Sequence, residues 1–188
     1  MINLVNERFN ALKLIIEDIK NKKMVIELLN ILLNVELKNF EYKGIKKLEK
    51  ISEYDFSLLK LVGKTDNKEF EIYTRIIRGG EIKKSVFCCW SLLQEEYEAQ
   101  MPNNSKNKII DKVTIKEKRN EAYKNSVCLA QESHINYDFE VNFINFIKLI
   151  KQNNPILNKW IEYINLDEKD ILLIMVKDIY WFIDKNLL

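Results

Sequence analysis

Two carboxylates near the middle of the chain are the residues best placed to do chemistry. Asp55 and Glu71 lie in consecutive segments, 54–62 and 69–78, whose composition predicts the two strands of a β-hairpin. Metal-dependent cleavage of a phosphodiester commonly needs two carboxylates that converge on one divalent cation. Asp55 and Glu71 could supply that pair for Mg²⁺.

The second strand of this hairpin has a clear alternation of side chains. One face carries Phe70, Ile72, Thr74 and Ile76, and the other carries Glu69, Glu71, Tyr73 and Arg75. We therefore expect one face to pack and the other to be polar. The alternative to a metal site is an exposed sheet face, on which Glu71 makes polar contacts with Lys60 or Arg75.

Other catalytic chemistries have little support in the residue types. His134 is the only histidine, so a triad or a zinc site built on histidine has one candidate. Cys88, Cys89 and Cys128 are odd in number and lack CxxC spacing, which argues against disulfides and a cysteine-bound metal. The four glycines are scattered, so a phosphate-binding P-loop is excluded.

The charge of the chain is nearly balanced. Thirty basic and 28 acidic side chains give a net charge of +2, far from the excess typical of a protein that binds the phosphate backbone along its whole surface. A nucleic-acid role therefore needs a local patch, and segment 103–124 is the candidate. It could contact nucleic acid through Lys106, Lys108, Lys112, Lys116 and Arg119, and the alternative is a solvated loop.

The order of the elements predicts an α/β protein of one domain, residues 1–188. Two helices are expected over 6–35 with a break at 21–23, and a third over 83–100 behind the hairpin. Further strands are expected at 109–115, 126–131 and 140–147. A C-terminal helical segment, 155–188, is predicted to contain a helix at 155–165 and a last helix that Asp167 caps and that ends near Asp184.

The location of the protein is predicted from what the sequence lacks. The apolar run 171–176 is far shorter than the roughly 20 residues that a membrane-spanning helix needs. The N-terminal residues do not form a signal peptide, and the cysteine usage fits a reducing cytoplasm. We expect no contact with a membrane.

Four segments of the chain, taken together, resemble one protein family. Residues 84–97, KSVFCCWSLLQEEY, are similar to a conserved helix of the PD-(D/E)XK nuclease family transposases, also called Rpn or recombination-promoting nucleases. Residues 25–33, VIELLNILL, resemble the N-terminal helix of that family. Residues 139–146, FEVNFINF, resemble one of its strands, and residues 157–161, LNKWI, one of its later helices. The four segments occur in the family's order along most of the chain.

The resemblance implies a mixed sheet flanked by helices, with the active site on the hairpin. In the family an Asp on the first strand and a Glu-x-Gln or Glu-x-Lys on the second bind a divalent metal. Counting back from Trp90 without gaps places Leu59, Tyr73 and Arg75 at those three positions. An aliphatic side chain, a phenol and a guanidinium cannot replace the ligands of a hard cation.

The sequence therefore predicts a catalytically inactive protein with a nuclease-like fold that binds a protein or nucleic-acid partner. An inhibitor encoded by a mobile element or phage is one form that this could take. No metal or other cofactor is expected. The alternative is a divergent, Mg²⁺-dependent DNA endonuclease that uses Asp55 and Glu71. The oligomeric state does not follow from the sequence.

Overall fold

The structure is a computed structural model that describes residues 2–48, 56–86, 88, 91–92, 112–119, 123–132, 135–145, 147–148 and 155–178. Its helices are α1 (Ile2–Glu17), α2 (Lys22–Leu33) and α3 (Pro155–Ile164), and residues 82–86, 88 and 91–92 are also helical. Its strands are β1 (Asn39–Leu48), β2 (Phe56–Lys64), β3 (Glu69–Arg78), β4 (Lys112–Arg119), β5 (Tyr123–Glu132), β6 (Ile135–Ile144) and β7 (Asp170–Asp178). The chain is thus an α/β protein, as the sequence predicts.

The seven strands form one sheet in the order β1-β2-β3-β7-β6-β5-β4. Two meanders, β1-β2-β3 and β4-β5-β6, are joined by β7, which pairs with β3 on one side and with β6 on the other. Every pair among the described strands is antiparallel. The mixed sheet implied by the resemblance is therefore wrong for these strands. The strands β3 and β6 do run in the same direction, but β7 separates them.

The two N-terminal helices are confirmed, and the break between them lies at 18–21, slightly before the predicted 21–23. A 3₁₀ turn, Ile19–Asn21, separates α1 from α2, and the Asp18 side chain accepts a hydrogen bond from the backbone N–H of Lys20 at 2.9 Å. The buried face of α2 follows the helical repeat through Val25, Leu28, Leu29 and Leu32.

The predicted last helix is wrong, because residues 170–178 form the central strand β7. Its apolar run packs on both faces of the sheet, and Leu173, Ile174 and Met175 are fully buried. A short continuous apolar segment is typical of such a strand, and periodicity cannot distinguish it from a buried helix. In segment 155–188 the helix at its start, Pro155–Ile164, is confirmed, and residues 179–188 lie outside the described residues.

The sheet is covered on both sides where β3 lies. The side that contacts α1, α2 and α3 carries Ile72 and Ile76, and the other side carries Tyr73 and Ile77 against Cys88 and Leu92 of the helical residues after β3. The predicted alternation on β3 is confirmed, but its second face is not simply polar. The reason is that β3 lies between β2 and β7 and is covered by helical residues on both sides.

Candidate functional site

Glu71, the described member of the predicted carboxylate pair, already has cationic partners. Its Oε1 lies 2.7 Å from the Lys60 Nζ, and its Oε2 lies 3.3 Å from the Lys177 Nζ. The Tyr73 hydroxyl donates a hydrogen bond to Oε2 at 3.0 Å. We call these four residues the Glu71 cluster. The contact between Glu71 and Lys60, one of the two polar contacts that the sequence predicts for Glu71, is therefore present.

The strands fix the members of the Glu71 cluster through their register. Lys60 on β2 is opposite Tyr73 on β3, and Lys177 on β7 is opposite Glu71. Residues directly opposite in a sheet project from the same face, so all four side chains emerge together. The Tyr73 ring is fully buried, and the Lys60 Nζ lies 5.3 Å from its centroid, within the range of a cation–π contact.

The Glu71 carboxyl is ionised in this setting. Burial raises the pKa of Glu71, but the hydrogen bond from Lys60 and the charge of Lys177 outweigh that effect, so the pKa is lowered from its ordinary value. Only 15% of the Glu71 side chain and 6% of the Lys177 side chain are exposed. A divalent cation bound to Glu71 would face two ammonium groups at short range, and their repulsion disfavours it.

The three positions assigned from the resemblance do not lie together. Leu59 is opposite Thr74, so it projects from the face that carries Ile72 and packs against the helices. Tyr73 and Arg75 project from the other face, by the alternation of side chains along β3. Counting without gaps therefore gives Leu59 the wrong parity for a shared site, and Lys60 is the residue on β2 opposite Tyr73.

Arg75 is largely enclosed, with 9% of its surface exposed. Its Nη1 donates a hydrogen bond to the Ser57 carbonyl oxygen at 3.0 Å. The guanidinium lies 4.7 Å from the centre of the Phe56 ring and 5.5 Å from that of Phe9. Burial lowers the pKa of Arg75, an effect that the negative charge of Glu81 partly opposes.

The remaining predicted site residues are placed only in part. Asp55, Lys106 and Lys108 lie outside the described residues. Lys112, Lys116 and Arg119 lie on β4, at the opposite end of the strand order from the hairpin. Four strand steps separate β4 from β3, about 19 Å at the usual spacing of strands. The predicted basic segment and the Glu71 cluster are therefore separate places on the sheet.

A second charged cluster, which sequence reasoning missed, joins α1 to β3 and to the start of β7. Arg8 pairs with Asp170 and, at 3.1 Å, with Asp167, while Arg78 lies 2.8 Å from both Asp167 and Asp170. Hydrogen bonds from Arg78 and from the Lys169 backbone lower the pKa of Asp167 to about 2. The chain has four arginines, and this scarcity was the sequence signal that could have drawn attention to Arg8 and Arg78.

We call Arg8, Arg78, Asp167 and Asp170 the Arg8–Asp170 cluster, and both of its carboxylates are bound to arginines. Within the ranges that the structure describes, there is no group of three His, Cys, Asp or Glu side chains able to hold a metal ion. The same ranges contain no helix with the length and apolar composition needed to cross a bilayer.

No family model, curated protein or solved structure matches the chain.

Proposed function

We propose that the protein is a catalytically inactive relative of the PD-(D/E)XK nucleases that acts by binding a partner, either a protein or a nucleic acid. The observation that carries this proposal is the pairing of Glu71 with Lys60 and Lys177. In the working site that the resemblance implies, carboxylates at this part of the hairpin face a metal. Here the carboxylate faces two ammonium groups.

A metal ion at Glu71 would have to displace the partners that the carboxylate already has. Each lysine lies within an ion-pairing distance of one Glu71 oxygen, and the Tyr73 hydroxyl occupies Oε2 as well. Binding Mg²⁺ would break these contacts and leave Lys177 with 94% of its side chain buried beside a divalent charge, which is costly at low local dielectric. The cluster is therefore better suited to stabilise the sheet than to hold a metal.

The competing function is a divergent DNA endonuclease that uses Asp55 and Glu71. One observation favours it: a carboxylate and two lysines lie side by side on adjacent strands, and a lysine near a carboxylate can orient an attacking water. The plasmid assay below discriminates between the two functions.

The test is incubation of purified protein with supercoiled plasmid and either Mg²⁺ or Mn²⁺. The proposal predicts a folded protein that leaves the plasmid intact. Glu71→Gln is the informative variant, and Glu69→Gln is its matched control, since Glu69 is on the same strand and pairs with Lys64 at 2.6 Å. Cleavage that Glu71→Gln abolishes and Glu69→Gln retains would replace the proposal with the endonuclease.

The partner is then sought in two steps. A gel-shift titration at two salt concentrations tests nucleic acid, because affinity for a phosphate backbone falls steeply as salt rises. Absence of a shift directs the search to a protein, by pull-down with the immobilised chain. A chain that neither cleaves DNA nor retains any partner would contradict the proposed function.

A further inference from the structure

Arg75 differs from the two other arginines whose side chains are described. Arg8 and Arg78 both pair with Asp167 and Asp170. Arg75 has no ion pair with a carboxylate in the described part of the chain, although it is almost as buried as Arg8. A buried charge without a contacting counter-charge destabilises a fold by several kcal/mol in order of magnitude, and the more distant Glu81 offsets this cost only in part.

The donors of Arg75 show where a ligand could bind. The hydrogen bond to Ser57 uses Nη1, and the Nε donor is buried without a hydrogen-bond partner. The edge formed by Nε and Nη2 is therefore unused among the described residues. In arginine–phosphate and arginine–carboxylate pairs, such an edge donates two parallel hydrogen bonds to two oxygens of one anion.

The surroundings hold this edge in place. The guanidinium lies near the Phe9 and Phe56 rings, at distances typical of cation–π contacts. A planar group held in this way loses little conformational freedom when a ligand arrives. The arrangement is that of a preorganised anion receptor.

We propose that Arg75 binds a phosphate group, as free phosphate or as the terminal phosphate of a larger molecule. A continuous phosphodiester backbone is too bulky to reach a side chain that is 9% exposed, so the proposal is limited to a compact phosphate group. Arg75 forms no ion pair with a carboxylate of the described residues, and phosphate, with more negative charge at neutral pH than a carboxylate, gains more from the positive charge of the guanidinium.

The inference goes beyond the proposed function and does not depend on it, because it concerns the donors of Arg75 alone. Its test is the melting temperature of the full chain titrated with inorganic phosphate, with sodium chloride at matched ionic strength as reference. A saturable rise in melting temperature is expected, since a ligand that binds the native state stabilises it. Absence of any rise overturns the inference, whatever the plasmid assay shows.

Three variants assign the effect to Arg75. Arg75→Lys keeps the charge but not the paired donors, and it should weaken the apparent phosphate affinity by about tenfold, while Arg75→Met should abolish the response. Lys23→Met removes one charge from an exposed position on α2 and should respond like the wild type. An equal response in the wild type and Arg75→Lys means an adventitious ion only and overturns the inference. If Arg75→Met does not fold, the comparison with Arg75→Lys decides.

The source of the phosphate is distinguished by two oligonucleotides of one sequence, with a 5′-phosphate or a 5′-hydroxyl, in fluorescence anisotropy. Preference for the phosphorylated strand that Arg75→Lys removes identifies a terminal phosphate. A response to inorganic phosphate alone identifies the free ion. Both results support the inference. Binding of hexaglutamate that depends on Arg75, without binding of phosphate, overturns it in favour of a carboxylate ligand.

Discussion

Glu71 and Lys177 lie directly opposite each other on β3 and β7, with the Glu71 Oε2 3.3 Å from the Lys177 Nζ. The pair spans the contact between the N-terminal meander and the central strand, on a face where both side chains are largely buried. Its removal therefore affects the place where the two halves of the sheet meet.

Lys177→Met should lower the free energy of unfolding by about 1–3 kcal/mol, because it leaves Glu71 partly buried with one cationic partner fewer. Urea denaturation measures this loss. The double variant Lys177→Met/Glu71→Gln should be less destabilised than the sum of the two single variants. Strict additivity would show that the pair contributes no coupling.

Two substitutions at Tyr73 separate the contribution of packing to stability from that of hydrogen bonding. Tyr73→Phe removes the hydroxyl that donates to Glu71 and keeps the buried ring, so a loss of about 1 kcal/mol is expected. Tyr73→Ala removes the ring as well and should cost about 3–5 kcal/mol. Similar losses for the two variants, measured by thermal or urea unfolding, would contradict the buried position of the ring.

Asp170 should be the most sensitive residue of the Arg8–Asp170 cluster. Its side chain is 1% exposed and Arg8 and Arg78 both contact it, so Asp170→Asn leaves the buried Arg8 guanidinium with the more exposed Asp167 as its remaining carboxylate partner among the described residues and should cost about 3–5 kcal/mol. Asp167→Asn is the matched control at 47% exposure and should cost less than about 1 kcal/mol. Equal losses would show that burial does not decide the contribution.

The low pKa of Asp167 predicts that the stability of the fold depends on pH. Its pKa is about 2 in the folded chain, below the ordinary value of about 3.9 expected when unfolded. The stabilisation is therefore present above about pH 4 and is lost as the pH falls towards 2. Unfolding curves over this range should show a smaller loss in Asp167→Asn than in the wild type, and 1 M salt should reduce the difference.

Burial on both faces of β3 gives a further test. Ile76 packs towards the helices α1, α2 and α3, and Ile77 packs towards Cys88 and Leu92. Ile76→Ala and Ile77→Ala should each cost about 2–5 kcal/mol. A loss under about 1 kcal/mol for Ile77→Ala would instead fit a solvent-exposed face.

The local pattern of the sequence was sufficient to predict the N-terminal helices and the hairpin, because α2 and β3 follow the repeats of 3.6 and 2 residues. It was insufficient for β7, where a continuous apolar run has neither repeat. The contact between Glu71 and Lys177 could not be predicted from the local pattern either, because it depends on the pairing of β7 with β3. Leu59 and Lys60 show that a shift of one residue along a strand moves a side chain to the opposite face of the sheet.

The central position of β7 also determines when the sheet can form. Thr74 on β3 donates its hydroxyl hydrogen bond to the Leu173 carbonyl, 99 residues later in the chain. Until the ribosome has released residues 170–178, the meanders β1-β2-β3 and β4-β5-β6 each expose the edge that β7 will later cover. A nascent chain thus completes its sheet late and through distant contacts, the condition under which folding is slow and exposed edges pair with other chains.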